Sequence, residues 1–301
     1  MEVSIGPRSV EQVRAFLSSV FPNLRVDHLS LLGEGWDSIA VLIDGRIVFR
    51  IPKRPVVERK MEREFRVLQA IRPYVRVHIP KIEWIGPAHG QLPISVIGYQ
   101  KLNGTPLSNM KSGEKRSNVL KQSGRFLSEL HAIPTGIVNG AETSWFRWTG
   151  DDSLHGPDNW ETGLRRYTER IIQDVVPLLS LSLGRTVMEN ITDFLADPQH
   201  FQFQSVLLHG DLAQEHILLD SETDDISVID FGDCGIGDPA YDVWPDLIPW
   251  YHGNVDATFQ ERQRFYRRMA PFHGVLHGLL MNDKTLVTNG LKQVGKEFAN
   301  L

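Results

Sequence analysis

The 301-residue chain has one cysteine, Cys234, so no intrachain disulfide can form and a cysteine-based zinc site is excluded. A reducing, cytoplasmic setting is the expectation that follows. The first residues, Met-Glu-Val-Ser-Ile-Gly-Pro, hold neither a basic nor an apolar segment, and no stretch approaches the ~18 consecutive apolar residues of a membrane span. A secretory leader and membrane insertion are therefore not expected. There is no internal repeat or low-complexity tract, which leaves ordinary packed domains.

Positive charge is missing from one long stretch. Residues 186–261, 76 in all, contain no Lys or Arg against 16 Asp and Glu. The whole chain has 32 basic and 37 acidic residues, but residues 1–102 carry 15 and 10, and residues 103–301 carry 17 and 27. A run of like charge usually marks a solvated tail. Here apolar runs at 205–208, 217–219 and 226–229 thread the acids, so the block must fold. Its carboxylates then lie at the surface or hold a metal or a cationic ligand. Nucleic acid is not expected as a partner, because neutralising phosphates needs a clustered basic surface. Nothing in the sequence points to an obligate protein partner.

What is present is a globular composition, 41% hydrophobic and 23% charged, at a length that fits two domains of about 150 residues. Apolar spacing predicts a helix over 10–21, then strands at 29–32, 38–43 and 46–51 separated by Gly33-Glu34-Gly35 and Asp44-Gly45 turns. A helix is predicted over 55–71 and strands over 79–85 and 94–102. After a linker at 103–106 the pattern turns helical, with helices over 115–131, 167–183, 185–195, 259–269 and 276–281 interrupted by the acidic block. The fold class is α+β: a small antiparallel-sheet lobe, 1–102, followed by a larger helical lobe, 103–301.

The strongest chemical signal is His209-Gly-Asp-Leu-Ala-Gln-Glu-His-Ile-Leu-Leu-Asp220 followed by Val228-Ile-Asp-Phe-Gly-Asp233. A strand delivers Asp211 into a loop, His216 opens a second strand, and a third strand ends at Asp230 after a 221–225 turn. The hairpin brings Asp211, His216 and Asp230 to one end. Phosphoryl transfer uses such a set: one carboxylate to orient or deprotonate a hydroxyl, and two ligands to hold Mg²⁺ against nucleotide phosphates.

These segments resemble the catalytic loop and Asp-Phe-Gly of the protein-kinase superfamily, with His-Gly-Asp in place of His-Arg-Asp. Together with Gly237-Asp-Pro-Ala-Tyr-Asp242, Gly33-Glu-Gly-Trp-Asp-Ser-Ile-Ala40, Phe49-Arg-Ile-Pro-Lys53 and Phe126-Leu-Ser-Glu-Leu-His131, they are similar to the aminoglycoside phosphotransferases, closest to the 2''-phosphotransferase branch. The resemblance runs from about Phe16 to Trp244. It implies a protein-kinase-like two-lobed fold and a Mg²⁺-dependent enzyme using ATP or GTP, with Asp211 as catalytic base and His216 and Asp230 as metal ligands. His216 stands where most kinases have Asn. Arg50 occupies the place of the phosphate-binding lysine, and strand alternation puts it on a face with Val48 and Pro52, opposite Lys53. Glu64 matches the carboxylate that pairs with it. Gly33 and Gly35 would cover the phosphates. Tyr99, Gln100 and Leu102 would line the nucleotide base, with Tyr99 at the gatekeeper position.

The implied acceptor is a small hydroxylated cation bound by carboxylates, Asp233 first, with Asp246 from the same block and Asp151, Asp152, Asp158 and Glu161 opposite. Asp238 and Asp242 are expected to bond loop and helix backbone. The 2''-phosphotransferases have acids after this loop, whereas this chain reads Leu247-Ile-Pro-Trp-Tyr-His-Gly253. Trp250, with Trp244 and Tyr251, would stack on a sugar or macrolide ring or simply pack. The basic residues of 262–268 are read as a solvated helix face. Two alternatives stand beside an aminoglycoside kinase: a kinase for a macrolide or an amino-sugar or hydroxylated-amine metabolite, and a non-catalytic nucleotide-binding pseudokinase.

Overall fold

The computed structural model describes residues 10–86, 96–138 and 159–299. In chain order the first elements are α1 (Val10–Val20), β1 (Leu29–Glu34), β2 (Ser38–Ile43), β3 (Ile47–Pro52), α2 (Pro55–Ile71), β4 (Ile82–Gly86), β5 (Val96–Gln100), β6 (Thr105–Pro106) and α3 (Glu114–His131). There follow α4 (Trp160–Arg170), α5 (Leu181–Ala196), β7 (Val206–Leu208), β8 (Ile217–Leu219), β9 (Ile226–Val228), β10 (Gly235–Gly237), α6 (Pro239–Asp242), α7 (Phe259–Met281) and α8 (Lys284–Phe298). By contact the chain forms two units, Met1–Gln122 with Asp211–Asp233, and Ser123–Gly210 with Cys234–Leu301. The segment from Asp211 to Asp233 thus groups with the N-terminal residues, where a division at residue 102 puts it with the C-terminal ones.

The first unit is built on an antiparallel sheet of order β1-β2-β3-β5-β4. Alternation puts Val41, Ile43, Ile47, Phe49 and Ile51 on one face, where they pack with Val13, Phe16 and Leu17 of α1. Each such buried side chain contributes roughly 1.5–3 kcal/mol. Val57 and Met61 of α2 pack with Ile97 of β5. The expected Asp44-Gly45 turn forms, with both residues at positive φ, 49° and 69°. Residues 105–106, read as part of a linker, instead form β6, which pairs with β8 in a second sheet of order β6-β8-β9. Glycine is needed just before it, because a Cβ on Gly104 would sit 2.8 Å from the Leu219 backbone. His78 exchanges backbone bonds with Ile226 and Val228, tying the stretch before β4 to the β8-β9 hairpin.

In the second unit β7 and β10 pair antiparallel and the rest is helical. The helices expected over 167–183 and 185–195 have other limits. The first, α4, gives way to a π turn, Ile171–Val175, and a 3-10 turn, Val176–Leu178, because Pro177 cannot continue the ladder. Ser180 then caps α5, accepting from Leu183 N at 3.4 Å. The two helices expected near the C-terminus are one, α7, which runs through Pro271 because its buried face continues in Phe272, Val275 and Leu276. Its Asn282 cap is left-handed, and Asp283 opens α8, which the sequence pattern did not reveal, by accepting from Thr285 N and Leu286 N.

The basic helix face over 262–268 also needs correcting. Arg264 and Arg267 are exposed, but Arg262 is fully buried. Its Nε lies 2.6 Å from Asp238 Oδ2, its Nη1 2.8 Å from Asp256 Oδ1, and its guanidinium stands over the Phe203 and Phe259 rings. Tyr266 OH donates to the same Asp238 carboxylate at 2.6 Å and receives Trp160 Nε1 at 3.0 Å. The acidic block therefore finds its internal cation one residue beyond its end. Arg262→Met strands the buried Asp238 carboxylate and should cost about 3 kcal/mol of unfolding free energy in urea; a loss below about 1 kcal/mol would show that the pair carries no such weight.

Candidate active site

The β8-β9 hairpin sets the geometry. Ile217 pairs with Val228, and Ile229 N donates to His216 O at 3.0 Å, which puts His216 and Asp230 side by side at the open end. Asp230 adopts φ 68°, the left-handed region that costs a non-glycine residue of order 1 kcal/mol. His216 lies in a 3-10 turn that begins three residues after Asp211. Its Nδ1 is 2.7 Å from the Asp211 carbonyl oxygen, which can only accept, so Nδ1–H donates. In the neutral ring the Nε2 lone pair then faces Asp230 Oδ2, 3.7 Å away. One ligand atom from each of Asp211, His216 and Asp230 lies within 4.8 Å of the others. Two carboxylates and an imidazole with its tautomer fixed suit a divalent cation, the carboxylates being the harder donors.

Asp211 is half-exposed at the loop. Desolvation by the surrounding protein, reinforced by the Asp233, Asp230 and Glu215 carboxylates and opposed by His216, pushes its carboxyl up to about 7. The preceding Gly210 has φ 83°, so the glycine of His-Gly-Asp occupies a backbone conformation that other residues rarely adopt. In the second unit, Asp242 accepts from His209 N at 2.5 Å and Gly210 N at 3.0 Å, and Asp238 accepts from Ala240 N, the backbone roles expected of both.

Arg50 on β3 and Glu64 on α2 meet, the pairing that the kinase resemblance implies. Arg50 Nη1 donates to both Glu64 oxygens at 2.7 and 2.8 Å, and its Nη2 reaches Asp230 Oδ1 at 3.1 Å. Glu64 is 1% exposed, and burial pushes its carboxyl up to about 7 against the pull of Arg50. Burial disfavours the Arg50 charge too, but Glu64 and then Asp230 outweigh it and hold the guanidinium protonated. Tyr99 on β5 is buried, with its hydroxyl raised by desolvation, while Gln100 at the strand end is exposed and Leu102 half-buried.

Gly33 and Gly35 lie at the β1-β2 hairpin, where Gly35 N donates to Ser38 O at 3.0 Å. A Cβ on Gly33 would meet nothing within 4 Å, and on Gly35 only Ser38 O at 3.8 Å. The folded chain itself thus does not require glycine at either position. Lys53 is committed to this hairpin, bonding Gly35 O at 2.7 Å and Glu34 at 2.6 Å.

Of the expected acceptor residues, Asp233 is half-exposed and 3.4 Å from Lys60 Nζ. Trp250 belongs to the second unit, where it is half-buried over Gly124 of α3. Tyr251 is a core residue whose hydroxyl is 2.8 Å from His131 Nδ1. Asp246 is exposed. Glu161 pairs with Arg165 on α4 at 2.8 Å, and Asp151, Asp152 and Asp158 fall outside the described residues. The sequence reading missed the α2 cations. Lys60, four residues before Glu64, shares its helix face, but nothing in the local sequence separates it or Arg63 from surface cations.

The sequence profile of the Phosphotransferase enzyme family matches residues 28–277. The GDP complex of wild-type aminoglycoside 2'-phosphotransferase-IIIa is similar with a TM-score of 0.84 at 24% identity, over 97% of this chain and 99% of that one. The GDP and kanamycin complex of APH(2")-IIia gives 0.83 at 24%, over 96% and 98%. Macrolide 2'-phosphotransferase type I gives 0.72 at 19%, over 96% and 98%. The fold is thus the kinase-like one expected, an antiparallel-sheet N-lobe and a helical C-lobe. Among the described residues no helix is long and apolar enough to cross a membrane. The chain, matched over most of its length, belongs to the phosphotransferase enzyme family.

Proposed function

We propose that this protein transfers the γ-phosphate of ATP or GTP to a hydroxyl of an aminoglycoside-like acceptor in the cytoplasm. The observation that carries the reading is the grouping of Asp211, His216 and Asp230 within reach of one ion, with Arg50 joining Asp230 to Glu64. Residues 1–102 serve the nucleotide and 103–301 the catalysis and the acceptor. The Asp211 carboxylate takes the proton of the acceptor hydroxyl. The freed oxygen bonds to the γ-phosphorus, the bond from that phosphorus to the β–γ bridging oxygen breaks, and the nucleoside diphosphate leaves.

His216 Nε2 and the Asp230 carboxylate are the residues that would hold Mg²⁺. When bound, the ion neutralises charge on the nucleotide phosphates. Arg50, kept charged by Glu64, would set a positive charge beside the same phosphates. The open space at Gly33 and Gly35 supports a backbone approach to phosphate there. Tyr99, Gln100 and Leu102 line the base, and solved relatives hold GDP in one case and ATP in another. Asp233 and Trp250 are assigned to the acceptor. Kanamycin and streptomycin complexes of similar proteins favour an aminoglycoside. The aromatic run 247–253 and the likeness to a macrolide phosphotransferase keep a macrolide as the second reading.

Two variants test the mechanism. Asp211→Asn should lower acceptor-stimulated nucleotide turnover by a factor of about 10²–10⁴ while nucleotide binding, read by calorimetry, persists. Undiminished turnover would remove Asp211 from the chemistry. Asp230→Asn should abolish turnover yet lower unfolding free energy by no more than about 1 kcal/mol. It removes one partner of Arg50, which Glu64 still holds, while asparagine tolerates the left-handed backbone and relieves repulsion from Asp211 and Asp233. Retained turnover would remove the Asp230 charge from the chemistry.

A further inference from the structure

Helix α2 grips the segment after Asp230 at three successive residues. Glu64 receives the Phe231 N–H, Arg63 Nη2 donates to Gly232 O at 2.8 Å, and Lys60 Nζ lies 3.4 Å from Asp233 Oδ1. Lys60 alone of the three also reaches the β1-β2 hairpin, where its Nζ is 2.9 Å from Asp37 Oδ2. It therefore joins carboxylates that lie 23 and 173 residues from it along the chain. The Lys60 side chain is 10% exposed, so its ammonium is held in place rather than waving in solvent. Asp37 is held from a second side by Arg54, itself 6% exposed. Burial would raise the Asp37 carboxyl, but Lys60 and then Arg54 outweigh it and keep it below the ordinary carboxylate range. The hairpin tip is thus anchored by Lys53 and Arg54, between β3 and α2, and Lys60 bridges it to the Asp230–Asp233 segment.

We propose that Lys60 is a positioning residue that fixes the β1-β2 hairpin relative to the Asp230–Asp233 segment and so sets nucleotide affinity. The second half rests on the assignment of that hairpin to the nucleotide phosphates. A hairpin released from Asp233 samples more positions, and each bound nucleotide must then restrict it again. The same contact occupies the Asp233 carboxylate, so Lys60 and a cationic acceptor compete for it.

The test uses the full-length protein and Trp36, which precedes Asp37 and is half-exposed. Acrylamide quenching of Trp36, taken as the difference from the same protein with Trp36→Phe, reads hairpin freedom without any ligand. In Lys60→Met quenching should rise, and the dissociation constant for the nucleotide should increase about 3- to 10-fold, an effect of the size expected for a half-buried ion pair. kcat at saturating nucleotide should change far less than KM. Lys60→Arg should restore both readouts. Asp233→Asn, which breaks only the link to the segment, should raise quenching by a similar amount and add little on top of Lys60→Met. Unchanged quenching in Lys60→Met would overturn the tether. Raised quenching with unchanged nucleotide affinity would overturn its link to binding, as would equal losses in kcat and KM that arginine does not rescue. A wild-type protein that binds neither ATP nor GTP would contradict the proposed function instead, and quenching would still decide the tether.

Discussion

The Arg50 guanidinium is where the sheet, helix α2 and the β8-β9 hairpin are brought to one point. It lies on a strand buried on both faces, so its charge survives only because Glu64 and Asp230 surround it. Glu64 in turn could not stay ionised at 1% exposure without Arg50. Each of the three is costly alone and tolerable together. The β8-β9 hairpin places Asp230 beside His216, and the contact with Arg50 ties that end to the sheet. Arginine in place of the kinase lysine fits this geometry, because a fork can hold one carboxylate with one nitrogen and a second with the other.

The site brings several unfavourable features together at one point. Asp230 is left-handed, Asp211 is pushed toward neutrality by desolvation and neighbouring acids, and Asp233 adds a third carboxylate. A core built for stability alone would contain none of them. By contrast, Asp238 and Asp242 spend their charge on Arg262 and on backbone amides, and so stabilise the second unit. The acidic block that stands out in the sequence is therefore mixed: most of its carboxylates lie at the surface, a few are satisfied inside the protein, and Asp211 and Asp230 gather with His216.

How much of this was legible in the sequence depended on range. Asp211, His216 and Asp230 could be read together because one hairpin joins them within 20 residues, and their order and spacing were specific. The Arg50–Glu64 pair was legible from the resemblance to the kinase pattern, with strand alternation placing Arg50 on the fitting face. Lys60 was not, since it looks like any helix-surface lysine until a partner 173 residues away is placed beside it. Arg262 was misread for a similar reason: its local context is a basic helix turn, and its partner Asp238 lies 24 residues earlier. Helix limits failed where packing outweighed local signals, as at Pro271 in α7, or where a proline and a serine cap fell inside an apolar pattern, as between α4 and α5.

The central claim is that these residues move a phosphoryl group from nucleotide to an acceptor hydroxyl. Phosphorus-31 NMR of the protein with Mg²⁺, ATP or GTP, and aminoglycoside or macrolide acceptors follows that group directly. The account predicts a new phosphomonoester resonance that grows with nucleoside diphosphate and requires the acceptor. Nucleotide that binds but yields no such resonance with any hydroxylated acceptor, or yields only inorganic phosphate, would contradict it.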